Sequence, residues 1–167
     1  MRLREMRWGD VEAVAELEQE LFAGDPPWSA EQFWSELAGV PDSRWYVVAV
    51  SAGDGPETDP AIVGYAGLLG PAIAGEPADV MTIAVASGGQ RRGTGTVLME
   101  AMIAEARRRD AGDLLLEVRT DNDAARAFYE RHGFERLAIR RNYYGGNRDG
   151  IVMRRRLPRQ GDNRHRD

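Results

Sequence analysis

Six consecutive residues, Gln90, Arg91, Arg92, Gly93, Thr94 and Gly95, are the part of this chain best suited to hold a ligand. They follow an apolar run, residues 80–85, that reads as a strand, and they precede a helical pattern that begins near Thr96. Where a strand ends in a glycine-rich turn and opens a helix, the first backbone N–H groups of the helix lack internal partners and face an incoming anion. Gly93 and Gly95 let the backbone come close, and Arg91 and Arg92 add positive charge. The segment reads as a pyrophosphate cradle. Two familiar ligands are excluded. A nucleotide-triphosphate loop needs a lysine after its last glycine, and the chain has no lysine. A dinucleotide fingerprint needs a third glycine, and Leu98 stands where it would be. On these residues alone, a plain glycine-rich surface turn stays open.

Composition bounds what else the chain could do. Its 167 residues suit one domain, and a 43% apolar fraction is enough for a packed core. No apolar run approaches the ~18 residues of a membrane span, and no signal peptide opens the chain. Without cysteine there is no disulfide framework and no thiolate metal site, which fits a reducing cytoplasm. His132 and His165 are the only imidazoles, so no metal is expected. The net charge of −5 hides an asymmetry: residues 1–86 carry 4 Arg against 15 acidic residues, and residues 87–167 carry 18 Arg against 12. The basic half suits an anionic cofactor and the acidic half a cationic substrate, although charge blocks are also simply solvated faces.

The elements that must position the cradle can be read along the chain. Residues 2–7 suit a first strand. Val11, Val14, Leu17, Leu21 and Phe22 recur at helical spacing over residues 10–22. Asp25, Pro26 and Pro27 break that helix, and Ser29 with Gln32 makes a capping box for a second, whose apolar face is Phe33, Trp34 and Leu37. Residues 45–50 and 62–69 suit strands, with Gly64 and Gly67 as bulge sites and a polar loop over 51–60 between them. A strand over 78–85 leads to the cradle, and the helix from Thr96 runs to about Arg109. Residues 114–118 suit a buried strand, 122–131 a short helix closed by His132 and Gly133, and 134–141 and 151–157 two last strands. The pattern predicts one mixed sheet with helices over its faces, a single domain over residues 1–157 and a polar, disordered tail over 158–167.

A glutamine or arginine, then G-x-G after a strand, is the acyl-CoA-binding motif of the GNAT N-acetyltransferases, which this chain resembles. Asn122, Ala127, Phe128, Tyr129, Gly133 and Phe134 are similar to a second segment of that family. Leu116, Glu117, Val118 and Arg119, the run Ile139, Arg140, Arg141, Asn142, Tyr143, Tyr144, and Pro27, Trp28, Ser29 narrow the resemblance to the bacterial ribosomal-protein-alanine acetyltransferases of the RimI type. It covers roughly residues 1–157, apart from the 51–60 loop.

The resemblance implies an α/β (α+β) class, with a mostly antiparallel seven-stranded sheet flanked by about four helices. It implies acetyl-CoA as co-substrate, and transfer of its acetyl group to a protein N-terminus, the alanine α-amine of a basic small-subunit ribosomal protein. Glu117 takes the family's base position, with an ordinary strand residue paired to Arg119 or a neighbour as the bland reading. Tyr129 takes the acid position, with a core aromatic as its alternative and Phe128 as the ring that turns inward. Asn122 matches a CoA-contacting asparagine and also suits a helix N-cap. Ile83, Ala84 and Val85 would meet the pantetheine arm, and residues 91–96, Thr96 included, the pyrophosphate. Trp28, Tyr143 and Tyr144 would shape the substrate groove, and the acidic helices over residues 10–20 and 31–36 would attract basic residues. His132 reads as a helix cap. The other readings are a GNAT enzyme for a lysine, polyamine or aminoglycoside amine, and a non-catalytic acyl-CoA-binding module. The total charge and the lack of a known motif argue against direct nucleic-acid binding. No membrane partner is expected, and the chain is expected to act as a monomer or weak dimer.

Overall fold

Val11, Val14, Ala15 and Leu17 form the buried face of α1 (Val11–Leu21). A 3-10 turn, Trp8–Asp10, leads into it, and two Arg4–Asp10 bonds of 2.7 and 2.9 Å tie that turn to β1 (Arg2–Glu5). The capping box at Ser29 and Gln32 is present: the Gln32 N–H donates to Ser29 Oγ (3.3 Å), and the Ser29 N–H to Gln32 Oε1 (2.8 Å). The helix it opens, α2 (Ala30–Leu37), buries Phe33 and Leu37. Trp34 is 37% exposed, because a residue next to Phe33 points about 100° away around the helix.

The other elements are β2 (Arg44–Val50), β3 (Ile62–Leu69), β4 (Ala78–Val85), α3 (Thr94–Arg108), β5 (Asp113–Arg119), α4 (Asp123–Arg131), β6 (Glu135–Arg140) and β7 (Gly150–Arg156). The structure is a computed structural model that describes residues 1–22, 26–52, 60–90, 92–145 and 148–158. Arg91, most of the 51–60 loop and the expected disordered tail after residue 158 lie outside the described residues. The strands follow the order β1-β2-β3-β4-β5-β7-β6. The ladders β1–β2, β2–β3, β5–β7 and β6–β7 are antiparallel, and β4–β5 is parallel, with Ala78 opposite Leu114 and Asp79 opposite Leu115. This is the expected seven-stranded mixed sheet with four helices.

The chain packs as two compact units: Met1–Leu69 with Met81–Met102, and Gly70–Val80 with the chain from Ile103. The first unit's core includes Val11, Val14, Phe33, Tyr46, Val48 and Tyr65. Two of its acidic residues are not the solvated charges expected on α1 and α2. Glu18 is 5% exposed and accepts from the Tyr65 hydroxyl and from the Trp28 N–H (3.2 Å). Glu36 accepts from Arg44 Nε and from the Tyr46 hydroxyl, both at 2.7 Å. The buried Glu18 and the half-buried Glu36 are thus each satisfied by two donors.

Of the two glycines expected at bulges of β3, Gly64 flanks one and Gly67 does not. The β2–β3 register shift lies at Ala49 and Val50, where Gly64 and Ile62 oppose them and Val63 is the extra residue. Gly67 is in regular register opposite Tyr46, and the Tyr46 ring lies where a Cβ at residue 67 would be. Gly67 is therefore a seat for a ring, not a bulge.

In the second unit β5 alternates. Leu114, Leu116 and Val118 are buried, whereas Leu115, Glu117 and Arg119 are half-buried. The sequence suggested a strand buried on both faces. The alternation leaves Glu117 on the face open to chemistry. β6 is exposed along its length, as befits the last strand of the sheet order.

Candidate active site

The cradle belongs to the first unit. Ala86 N–H donates to the Val63 carbonyl (2.8 Å), and the Gln90 side chain donates to the Val85 carbonyl (3.2 Å), so both ends of residues 85–90 are held. Gly93 has φ of +79°, a left-handed conformation, and nothing lies within 4 Å of a Cβ built on it. Glycine is needed there for backbone conformation rather than for space. α3 starts at Thr94, two residues earlier than the sequence suggested, and Val97 N–H donates to the Gly93 carbonyl (3.0 Å). Thr94, Gly95 and Thr96 therefore form the helix's first turn, whose N–H groups have no intrahelical acceptor. Thr94 is 3% exposed and Arg92 is exposed. This arrangement suits a phosphate. On β4, Ala84 is buried and Ile83 and Val85 are half-buried. Trp28, in the same unit, packs its ring 5.3 Å from that of Phe33.

The other sequence candidates lie in the second unit. Glu117 Oε1 is 2.9 Å from Arg140 Nη1. Arg119 takes Asp121 at 2.8 Å, and the neighbour paired with Glu117 is Arg140 of β6. Gly150 on β7 stands opposite both Arg119 of β5 and Arg140 of β6, and Val152 opposite Glu117, so Arg140 reaches the carboxylate diagonally across β7. The Tyr143 hydroxyl donates to the Glu117 carboxylate; this bond first, then burial, raises the phenol above its usual range. The Arg140 guanidinium also lies 5.2 Å from the centre of the Tyr143 ring.

Tyr143 meets Tyr144 edge to face, with centroids 5.1 Å apart. Tyr144 in turn acts on Tyr129: burial, and then Tyr144, push the Tyr129 phenol up to about 12. Glu117, Tyr143 and Tyr144 are thus in contact in series, and Tyr129 lies within electrostatic reach of Tyr144. Asn142 in the intervening turn has φ of +53°, and its N–H donates to Asp149 Oδ1 (2.7 Å). Asparagine tolerates that conformation better than other non-glycine residues.

Asn122 is the N-cap of α4, accepting from the Ala125 N–H (3.2 Å). His132 caps the other end, its Nδ1 2.8 Å from the Phe128 carbonyl. Phe128 does not turn into the core. It packs on the His132 ring at 4.4 Å, while the buried ring beside Tyr129 is Phe134, 5.9 Å away.

Two residues beside Glu117 were given no role from the sequence. Arg140 belongs to the run that narrowed the resemblance, but its contact with Glu117 comes from the fold. Asp79 stands opposite Leu115, two residues before Glu117 on the same face of β5; burial, and then the Glu117 charge, raise its carboxyl above the usual range. Among the described residues no cluster of acidic, histidine or cysteine side chains could hold a metal, and no helix is long and apolar enough to cross a membrane.

The model of the acetyltransferase (GNAT) family matches residues 11–134, a span that holds the cradle, Glu117, Asn122 and Tyr129. The chain is 43% identical over 149 residues to N-alpha-acetyltransferase RimI of Mycobacterium tuberculosis, covering 87% of this chain and 86% of that protein. It is 30% identical over 152 residues to a putative ribosomal protein bS18-alanine N-acetyltransferase of Bacillus subtilis, covering 90% and 92%. The crystal structure of the ribosomal-protein-S18-alanine N-acetyltransferase from Escherichia coli matches with a TM-score of 0.78 at 30% identity, covering 97% of both chains. The chain belongs to the acetyltransferase (GNAT) family and is an N-acetyltransferase whose co-substrate is acetyl-CoA.

Proposed function

We propose that this enzyme acetylates the N-terminal α-amine of a protein, the terminal alanine of a small-subunit ribosomal protein, with Glu117 as base and Tyr129 as acid. The observation that carries this reading is the arrangement of Glu117, Tyr143, Tyr144 and Tyr129, which sets a carboxylate and a protonated phenol around two tyrosines suited to line a peptide groove. The names of the relatives support the choice of amine.

Acetyl-CoA supplies the thioester. Arg91 to Thr96 would hold its pyrophosphate, Ile83, Ala84 and Val85 its pantetheine arm, and Asn122 would add a contact from the end of α4. A protein α-amine ordinarily titrates at ~7.7–8.0, so roughly one in ten is neutral near pH 7, against about one lysine in 2,500. Modest help from a base therefore suffices. The neutral nitrogen attacks the thioester carbonyl, and the carbon–sulfur bond breaks. The proton lost by nitrogen passes to Glu117, directly or through water, and the departing thiolate takes the Tyr129 proton. A phenol held near 12 is protonated at neutral pH, as a proton donor must be. Trp28, Tyr143 and Tyr144 would line the path of the peptide.

The test is mass spectrometry of a peptide that begins with alanine and contains an internal lysine, alongside polyamine and aminoglycoside substrates. Acetylation at the terminus is expected. Transfer only to the lysine or to the small amines would assign a different acceptor. Glu117→Gln and Tyr129→Phe should each lower kcat by ~10²–10⁴-fold. Unchanged turnover in both would remove the acid–base assignment.

A further inference from the structure

The second unit gathers arginines away from the residues assigned to catalysis. Arg131 at the end of α4 and Arg154, Arg155 and Arg156 at the end of β7 line a cavity of about 430 Å³ together with His132, Gly133 and Glu135. Arg107 and Arg108 of α3 line a second cavity of about 810 Å³, with Leu157 next in sequence to Arg156 on its wall. Arg155 feels the charge of Arg107, so the two cavities form one electrostatic surface.

Several arginines elsewhere in the fold have a carboxylate close by, and on this surface Arg108 has Glu105. Arg4 has Asp10, Arg44 has Glu36, Arg119 has Asp121, Arg126 has Asp123 and Arg140 has Glu117. Among the described residues, Arg107, Arg131, Arg154, Arg155 and Arg156 have no ion pair within 4 Å. The acidic groups nearby do not cancel them: Glu135 and Asp110 line the cavities without pairing with any of the five. Burial, and then Arg107, lower the Arg155 guanidinium from its ordinary value, as expected where like charges meet without an anion.

We propose that this arginine surface binds RNA through its phosphate backbone. Three features favour phosphate. The guanidinium fork matches it better than a point charge does. The cavity around residues 131–156 is walled by Arg, His, Gly and Glu, without the apolar or aromatic pocket that anchors a protein partner. It also lacks an exposed aromatic ring on which a base could stack, so recognition is of backbone rather than sequence. A fourth point rests on the proposed function: a basic ribosomal protein would be repelled by this face, whereas the RNA it accompanies would be attracted. The sequence argued against nucleic acid on whole-chain charge. Folding brings together arginines from three separate segments, and local charge is what phosphates meet.

Fluorescence anisotropy with a labelled random-sequence single-stranded RNA, across a potassium chloride series, tests the proposal on the full chain. Five phosphate contacts predict a slope of log K against log salt of about −3.5. The triple variant R131Q/R154Q/R156Q should bind at least tenfold more weakly, with a shallower slope and unchanged acetylation of a free peptide. Circular dichroism checks its fold, and Arg155 is left in place because it donates to the His132 carbonyl. No RNA binding at low salt, tighter binding of poly-glutamate than of RNA, or wild-type affinity in a folded triple variant would each overturn the proposal. Because binding is read without turnover, failure of the acceptor assignment above would leave this result standing.

Discussion

Arg140 reaches Glu117 diagonally across the intervening strand β7, Nη1 to Oε1 at 2.9 Å, with Gly150 opposite Arg140 and Val152 opposite Glu117. An amine that uses this carboxylate must displace a guanidinium. Both partners are partly exposed, so the pair is worth only ~0–1 kcal/mol. Arg140→Gln should therefore lower KM for the peptide by up to about fivefold and leave kcat nearly unchanged. Steady-state kinetics decides the matter; a rise in KM would mean that Arg140 binds the substrate instead.

The Tyr129 phenol, held near 12, has consequences for stability as well as for its proposed role as acid. Its folded value lies above the ~10 of an unfolded tyrosine. The stability it contributes is fully present below pH ~10 and is lost as pH rises through the folded value. Urea unfolding at pH 9 to 11 should therefore show a steeper alkaline loss for wild type than for Tyr129→Phe. Parallel curves would contradict the buried phenol.

Asp79 has the same sign with a lower window. Its carboxyl is raised by burial and by Glu117, so its stabilising contribution is complete below pH ~3.9 and is lost as pH rises through the folded value. At pH 7 the ionised group is a liability. Asp79→Asn should melt at a higher temperature than wild type at pH 7, with the gap closing as pH falls toward 4. A lower melting temperature at pH 7 would show that the carboxylate has a stabilising partner.

Tyr65 and Glu18 predict a loss confined to the first unit. Tyr65→Phe keeps the ring in its core position but leaves one buried Glu18 oxygen without its donor. A buried acceptor left unpaired costs ~1–3 kcal/mol, to be read from the urea midpoint with an unchanged m-value. A shift below about 0.5 kcal/mol would mean that water reaches Glu18.

Features set by neighbours along the chain were legible in sequence. The capping box at Ser29 and Gln32 and the N-cap at Asn122 involve residues within one turn of each other, so spacing alone reveals them; Gly93 was expected for close approach and is needed instead for its left-handed backbone. Glu117 and Tyr129 were found through resemblance, and the structure links them only through Tyr143 and Tyr144. What escaped depended on distant partners. Glu18 looked like a solvated charge because its partner, Tyr65, lies 47 residues on. Arg140 and Asp79 gain their neighbours from strand register, which residue type does not encode. The helix starting at Thr94 rather than Thr96 is a boundary shift of the usual size.

The Tyr46 ring lying in the place of a side chain at Gly67 constrains the family's history. With that space free, the ring lies across β3 and its hydroxyl reaches Glu36, which also holds Arg44. A methyl group at residue 67 would evict the ring and strand the carboxylate of α2. Residues 36, 46 and 67 should therefore change together in descent: a relative with a larger residue at 67 should have given up the tyrosine and the acid as well, and single exchanges should be rare.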